Sequence, residues 1–224
     1  MARRGRIDGP GALHHVIQRG MERGRLFHDD RDREEFVRRM GRSLKETGTR
    51  CYAWCLMPNH VHLLLSTGER PVSKALQALF AGYAGYFNYR YRRSGHLFQN
   101  RYKSTLCESE RYMRELVRYI HLNPVRAGLV DGIHGLGRYR WSGHRALLGL
   151  DKPEWGGSEE VLERYDQVKS RARRKYVAHL REGLGVGGHP LKGESLRRMV
   201  EGGWEVLREV VGVLVKKGPL RVPC

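Results

Sequence analysis

Two short stretches of the chain carry side chains whose types and spacing could do chemistry together. In His60-Val61-His62 the imidazoles are two residues apart, so on a β-strand both leave the same face, while Val61, Leu63 and Leu65 face the other way into a core. Two neutral imidazoles on one face can grip a divalent metal ion, although such a pair also occurs simply as hydrogen-bonded or exposed histidines. Farther on, Tyr119 and Asn123 stand four apart just before Pro124. On a helix they share one face, with Leu116 and Ile120 alongside to seat that helix on a sheet. Asn123 can supply an amide oxygen as a third ligand, and Tyr119 a phenolic nucleophile. The ordinary alternative is a core tyrosine with a satisfied hydroxyl and a helix-end asparagine. Taken together the four make a chemical unit. A phenol with a reference pKa of about 10 is a poor nucleophile, and it gains from a divalent ion, Mg²⁺ or Mn²⁺, that polarises the phosphoryl group it attacks. Attack on a DNA phosphate would hold one end as a phosphotyrosine and free a 3′-hydroxyl; the reverse attack would reseal the strand without ATP.

The elements that must position this unit can be read from periodicity. Residues 13 to 19 form a strand around Val16 and Ile17 that ends at Gly20. The carboxylates of the Asp29 to Glu35 stretch mark a first helical turn, followed by Phe36, Met40 and Leu44 and a stop at Gly48. Thr49 to Leu56 and His60 to Ser66 form a hairpin around Met57-Pro58-Asn59. Pro71 opens a long helix with Val72, Leu76, Leu79, Phe80, Tyr83 and Phe87, reaching about Arg93. His96 to Cys107 is a loop and a strand, and Ser109 with Glu110 opens a last helix that runs until Pro124. The order strand, helix, strand, strand, helix, strand, helix predicts an α+β fold: a ferredoxin-like antiparallel sheet with helices packed on one face. After Gly149 the composition changes. Residues 151–157 read as a linker, Glu160 to Arg181 as one very basic helix, and 189–224 as weakly periodic helix. The expected division is a domain over 1–150 and a basic helical extension over 151–224 whose role is not legible.

The charge balance narrows the partner. Lys and Arg number 42 against 24 Asp and Glu, a net +18, with a pI near 10.2, which favours polyanions. A mean hydropathy of −0.61 and the absence of any apolar run near the ~20 residues of a spanning helix argue against a membrane protein. The basic start lacks an apolar stretch behind it, and the four cysteines fit no disulfide framework, so a cytoplasmic, nucleoid-associated protein is expected. Cys51 and Cys55 are read as buried small hydrophobes rather than half a zinc site. Between Glu69 and Glu108 no acidic residue occurs, while basic and aromatic residues alternate. Cations track phosphates and aromatic faces stack bases, so Arg90, Tyr91, Arg92, Arg93, Arg101 and Lys103 are the candidate nucleic-acid contacts, with Tyr83 and Phe87 assigned to the core. The basic run Lys169 to Lys175 is either a solvated helix face or a further contact.

Three long motifs then stand in order: Cys55-Leu-Met-Pro-Asn-His-Val-His-Leu-Leu-Leu65, Gly95-His-Leu-Phe-Gln-Asn-Arg-Tyr-Lys103 and Arg118-Tyr-Ile-His-Leu-Asn-Pro-Val-Arg-Ala-Gly-Leu-Val130. With His14 to Gly20 and Tyr139 to Ser142, the chain over about residues 10 to 150 resembles the REP-associated tyrosine transposases of the single-tyrosine HUH superfamily. The resemblance implies an HUH nuclease fold, His60 and His62 as the metal-binding pair, Asn123 as third ligand and Tyr119 as nucleophile. It also implies a single-stranded or hairpin DNA substrate of the repetitive extragenic palindrome type, cut through a 5′-phosphotyrosine intermediate. Whether such a protein acts as monomer or homodimer stays open. The rival expectation is a catalytically silent, domesticated binder of palindromic DNA or structured RNA, whose mark would be the loss of a site residue; all four are present.

Overall fold

The computed structural model describes residues 9–107 and 110–184, and of residues 110–112 only the backbone. The first helix, α1 (Asp30–Thr47), starts where the Asp29 carboxylate accepts the Asp32 amide hydrogen at 3.1 Å. It stops at Gly48, whose φ of 65° is the left-handed conformation that glycine adopts without a Cβ penalty. A hairpin follows, β2 (Arg50–Met57) and β3 (His60–Ser66), then α2 (Val72–Arg90), β4 (Lys103–Cys107) and α3 (Glu110–Arg126). The opening strand, β1 (Leu13–Arg19), lies at the centre. The sheet order is β2-β3-β1-β4 with every pairing antiparallel, the arrangement expected from the order of elements.

One face of the sheet buries Val16, Trp54, Leu56, Val61, Leu63 and Leu65 against Phe36, Met40 and Leu44 of α1 and the apolar stripe of α2. Each such side chain contributes roughly 1.5–3 kcal/mol on removal from water. Tyr83 and Phe87 belong to this core, fully buried. Alternation sends the intervening strand residues, among them His15, His62 and Leu64, to the other face, and these are buried too. A second layer therefore has to cover them. It is α3, which packs on β2 and β3 and buries Leu116, Val117 and Ile120, so helices lie on both faces instead of one.

Three boundaries differ from the periodic reading. Helix α2 ends at Arg90, three residues early, because Arg92 turns to a positive φ of 49°. Pro124 lies inside α3, for a reason given below. The long basic helix is two, α6 (Ser158–Glu163) and α7 (Lys169–Glu182), after the short α4 (Gly132–Arg138) and α5 (His144–Leu148). The change of composition near 150 is also no break in packing. The Gly157 amide donates to the Cys51 carbonyl at 2.8 Å, Trp155 lies on α1 at Gly41, and Tyr176 of α7 is fully buried against α3 and α5. Residues 151–184 are thus part of one compact unit with the sheet; the rest of the extension expected over 151–224, residues 185–224 with Cys224, falls outside the described residues. Cys51, Cys55 and Cys107 are buried. Among the described residues no helix is long and apolar enough to cross a membrane.

Candidate active site

The α3 face of the sheet gathers polar groups by register. Ile17 of β1 stands opposite both His62 and Lys103, and Arg19 opposite His60. Antiparallel partners project to the same side, so His60, His62, His15, Arg19 and Lys103 all belong to this face. The His60 and His62 rings lie 5.0 Å apart, nearly perpendicular. Seating α3 on the sheet brings the Tyr119 ring edge-on to two imidazoles, 5.6 Å from His62 and 6.0 Å from His15. His15 in turn stacks on His62 at 5.4 Å, with its Nε2 atom 3.1 Å from His62 Nδ1.

Hydrogen bonds and burial set the charge states. His60 Nδ1 lies 2.7 Å from the Asn59 side-chain oxygen, an acceptor, so the His60 proton sits on Nδ1. Burial, helped by the Arg19 charge, draws the His60 pKa down to about 4, leaving a neutral imidazole at neutral pH. Burial pushes the Tyr119 phenol above its ordinary value, while the cations of Arg126 and Arg19 oppose the rise. The Arg126 guanidinium carbon stands 5.2 Å from the Tyr119 ring centre, a cation–π contact.

Asn123 explains why α3 passes through Pro124. Proline has no amide hydrogen to give the Ile120 carbonyl. The Asn123 side-chain nitrogen donates instead, to the carbonyls of Tyr119 at 2.9 Å and Ile120 at 3.3 Å. With its nitrogen turned to the backbone, the carboxamide has only its oxygen to offer outward. Among the described residues no group of three His, Cys, Asp or Glu side chains is placed to hold a metal ion, so a third ligand of another type would be required.

The six candidate nucleic-acid contacts separate into two sets. Arg90 and Tyr91 are half-buried, and both side chains are engaged by carboxylates of the fold. The Arg90 guanidinium binds Asp29 at 2.6 Å and also Asp32, and the Tyr91 hydroxyl donates to Asp32 at 2.8 Å. Asp32 is fully buried, and a buried carboxylate needs such partners, so both side chains are committed to it. Arg92, Arg93, Arg101 and Lys103 are exposed, and Arg93 lies over the Phe87 ring. Between α2 and the 95–102 loop runs a groove of about 760 Å³ whose lining includes Lys74, Gln77, Phe80, His96, Arg101 and Tyr102. In the Lys169–Lys175 run most cations are already paired, Lys169 with Glu159, and Arg171 and Lys175 with Asp166. Sequence reasoning missed His15, Asn59, Arg19 and Arg126. The alternation that places His15 on the face of Ile17 was legible; its register opposite β3 was not.

A family model described as "Transposase IS200 like" matches residues 11–123. Among solved structures, that of a REP-associated tyrosine transposase bound to a REP hairpin is similar at a TM-score of 0.55 and 17% identity, covering 70% of this chain and 92% of that one. A proposed transposase of Deinococcus radiodurans R1 aligns at a TM-score of 0.38 and 21% identity, over 53% of this chain and 95% of that one. No curated protein matches the sequence.

Proposed function

The chain belongs to the IS200-like transposase family, and on that premise we propose that it nicks and rejoins single-stranded or hairpin DNA through Tyr119. The observation that carries the reading is the meeting of the Tyr119 ring with His62, two groups that reach one another only through the packing of α3 on the sheet. The Tyr119 oxygen attacks a backbone phosphorus, the bond to the 3′ oxygen breaks, and the products are a 5′-phosphotyrosine and a free 3′-hydroxyl. Burial keeps the phenol protonated at neutral pH, so its proton must leave as the new bond forms. Arg126 and Arg19 favour the developing phenolate.

The donor set fits a divalent ion, Mg²⁺ or Mn²⁺. His60 and His62 each have Nδ1 occupied by a neighbour, so any ligand is taken at Nε2, and His60 is neutral as a ligand must be. Asn123, with its nitrogen engaged, would add the amide oxygen. A bound ion would supply polarisation of the phosphoryl group under attack. Arg92, Arg93, Arg101 and Lys103, with the groove beside α2, would hold the strand. A hairpin substrate is supported by the fold shared with a hairpin-bound transposase.

Incubating the protein with a 5′- and 3′-labelled hairpin oligonucleotide and Mn²⁺ should give a covalent protein–DNA adduct on a denaturing gel, absent in Tyr119→Phe. An adduct that persists in that variant removes Tyr119 from the role.

A further inference from the structure

Of the histidines on the α3 face, His15 is assigned no part in the reaction proposed above, yet it lies in hydrogen-bond contact with His62. It is 1% exposed, its ring is nearly parallel to that of His62, with 17° between the planes, and its Nε2 points at His62 Nδ1 over 3.1 Å. A hydrogen bond between two neutral imidazole nitrogens needs one donor and one acceptor, so the contact couples the two tautomers. If His62 carries its proton on Nδ1, its Nε2 holds a lone pair; if His15 donates instead, His62 Nε2 carries the proton and cannot act as a ligand. The companion histidine has the same arrangement, with Asn59 behind His60 Nδ1, and there the acceptor oxygen leaves only one assignment.

We infer that His15 is a positioning residue: it accepts the Nδ1 proton of His62, holding that ring in the tautomer and plane that offer Nε2 toward Tyr119 and the substrate. The inference rests on the proposed function for its purpose, but its geometry stands without it. Partners of this kind orient a ligating ring and fix where its proton resides, and losing one typically weakens metal binding 10–100-fold. Stacking alone would keep the plane; the acceptor nitrogen keeps the tautomer. The two contributions separate chemically. Glutamine places an acceptor oxygen near the position of Nε2, whereas phenylalanine keeps the stacked ring and removes the acceptor.

The test is a two-variant comparison on the full chain, uniformly ¹⁵N-labelled and stripped of metal with EDTA, reading the His62 ring nitrogens by long-range proton–nitrogen correlation. Wild type and His15→Gln should show His62 with a protonated Nδ1 and bare Nε2, and His15→Phe should show loss of that single tautomer. Titrating Mn²⁺ alone should then give affinity roughly 10–100-fold weaker for His15→Phe and within a few-fold of wild type for His15→Gln. A protonated His62 Nε2 in the wild type, or an unchanged tautomer in folded His15→Phe, overturns the assignment; amide spectra report the folding of each variant. Should the tautomer behave as stated while wild type forms no adduct, the strand-transfer reading fails and the positioning role of His15 stands.

Discussion

Helix α3 carries two clusters of histidine and tyrosine that differ in almost everything except residue type. Tyr119 and His121 are two positions apart, so they point roughly 200° apart around the helix. Tyr119 meets His62 and His15 at a half-buried face bordered by exposed Arg19, Lys103 and Arg126. His121 meets Tyr176 of α7, whose hydroxyl also meets His144: the Nδ1 atoms lie 2.8 and 2.7 Å from one phenol oxygen. A hydroxyl has a single proton, so one imidazole receives it and the other donates its own. The second cluster is fully buried, and burial drives both imidazole pKa values down and the phenol's up. Even the backbone closes in, since a Cβ at Gly143 would meet Trp54 and His121 at 3.0–3.1 Å. Residue type, then, does not distinguish a site from a fastening. Access to substrate does.

The sharpest way to break this contrast is to remove one hydroxyl from each cluster. Tyr119→Phe should eliminate the covalent adduct from a chain that still folds. Tyr176→Phe should do the reverse, retaining the adduct while lowering stability by about 1–3 kcal/mol, the cost of orphaning a buried hydrogen-bond partner. Denaturant midpoints and gel-shift adducts on both variants decide it, and a loss of adduct in Tyr176→Phe would mean that the buried cluster supports the chemistry.

Acid should act on both clusters, because burial holds His60 in one and His121 and His144 in the other below the ordinary imidazole value. An imidazole held neutral in the fold, near 4 for His144 against 6.5 unfolded, binds its proton more readily once unfolded. Stability from this source is therefore complete above pH 6.5 and falls as the pH drops toward 4. For His144 alone the loss at pH 5 is about 2 kcal/mol. Urea unfolding at pH 7.5 and 5 should show it, and His144→Asn should reduce the dependence by that share while His60 and His121 keep the rest.

The smallest effects distinguish the two sets of surface cations. Arg92→Ala and Arg93→Ala should each reduce the slope of log affinity for a single strand against log salt by about 0.7. Arg90→Ala should leave that slope unchanged and destabilise the fold by removing a partner from buried Asp32. A slope change in Arg90→Ala would return that side chain to the DNA surface.

The pattern of elements was legible because each stripe is local: Phe36, Met40 and Leu44 declare a helix face without knowing what they will pack on. His60, His62, Tyr119 and Asn123 were legible as types at suggestive spacings. Arg90 looked like its neighbours Arg92 and Arg93 because its carboxylate partners lie some sixty positions earlier. Pro124 read as a terminus because the donor that replaces its missing amide hydrogen is a side chain.

Composition and periodicity were enough to set the charge, the helix and strand identities and the candidate chemistry, since these depend on neighbours within a few residues. The register of β1 between β3 and β4, and the seating of α3 on the sheet, depend on contacts far apart along the chain. Those contacts place His15 behind His62, turn Tyr119 toward the imidazoles and bury His121 two positions away. Distance along a chain carries no record of which face will be covered; packing does, because each buried polar group must find its partner in three dimensions.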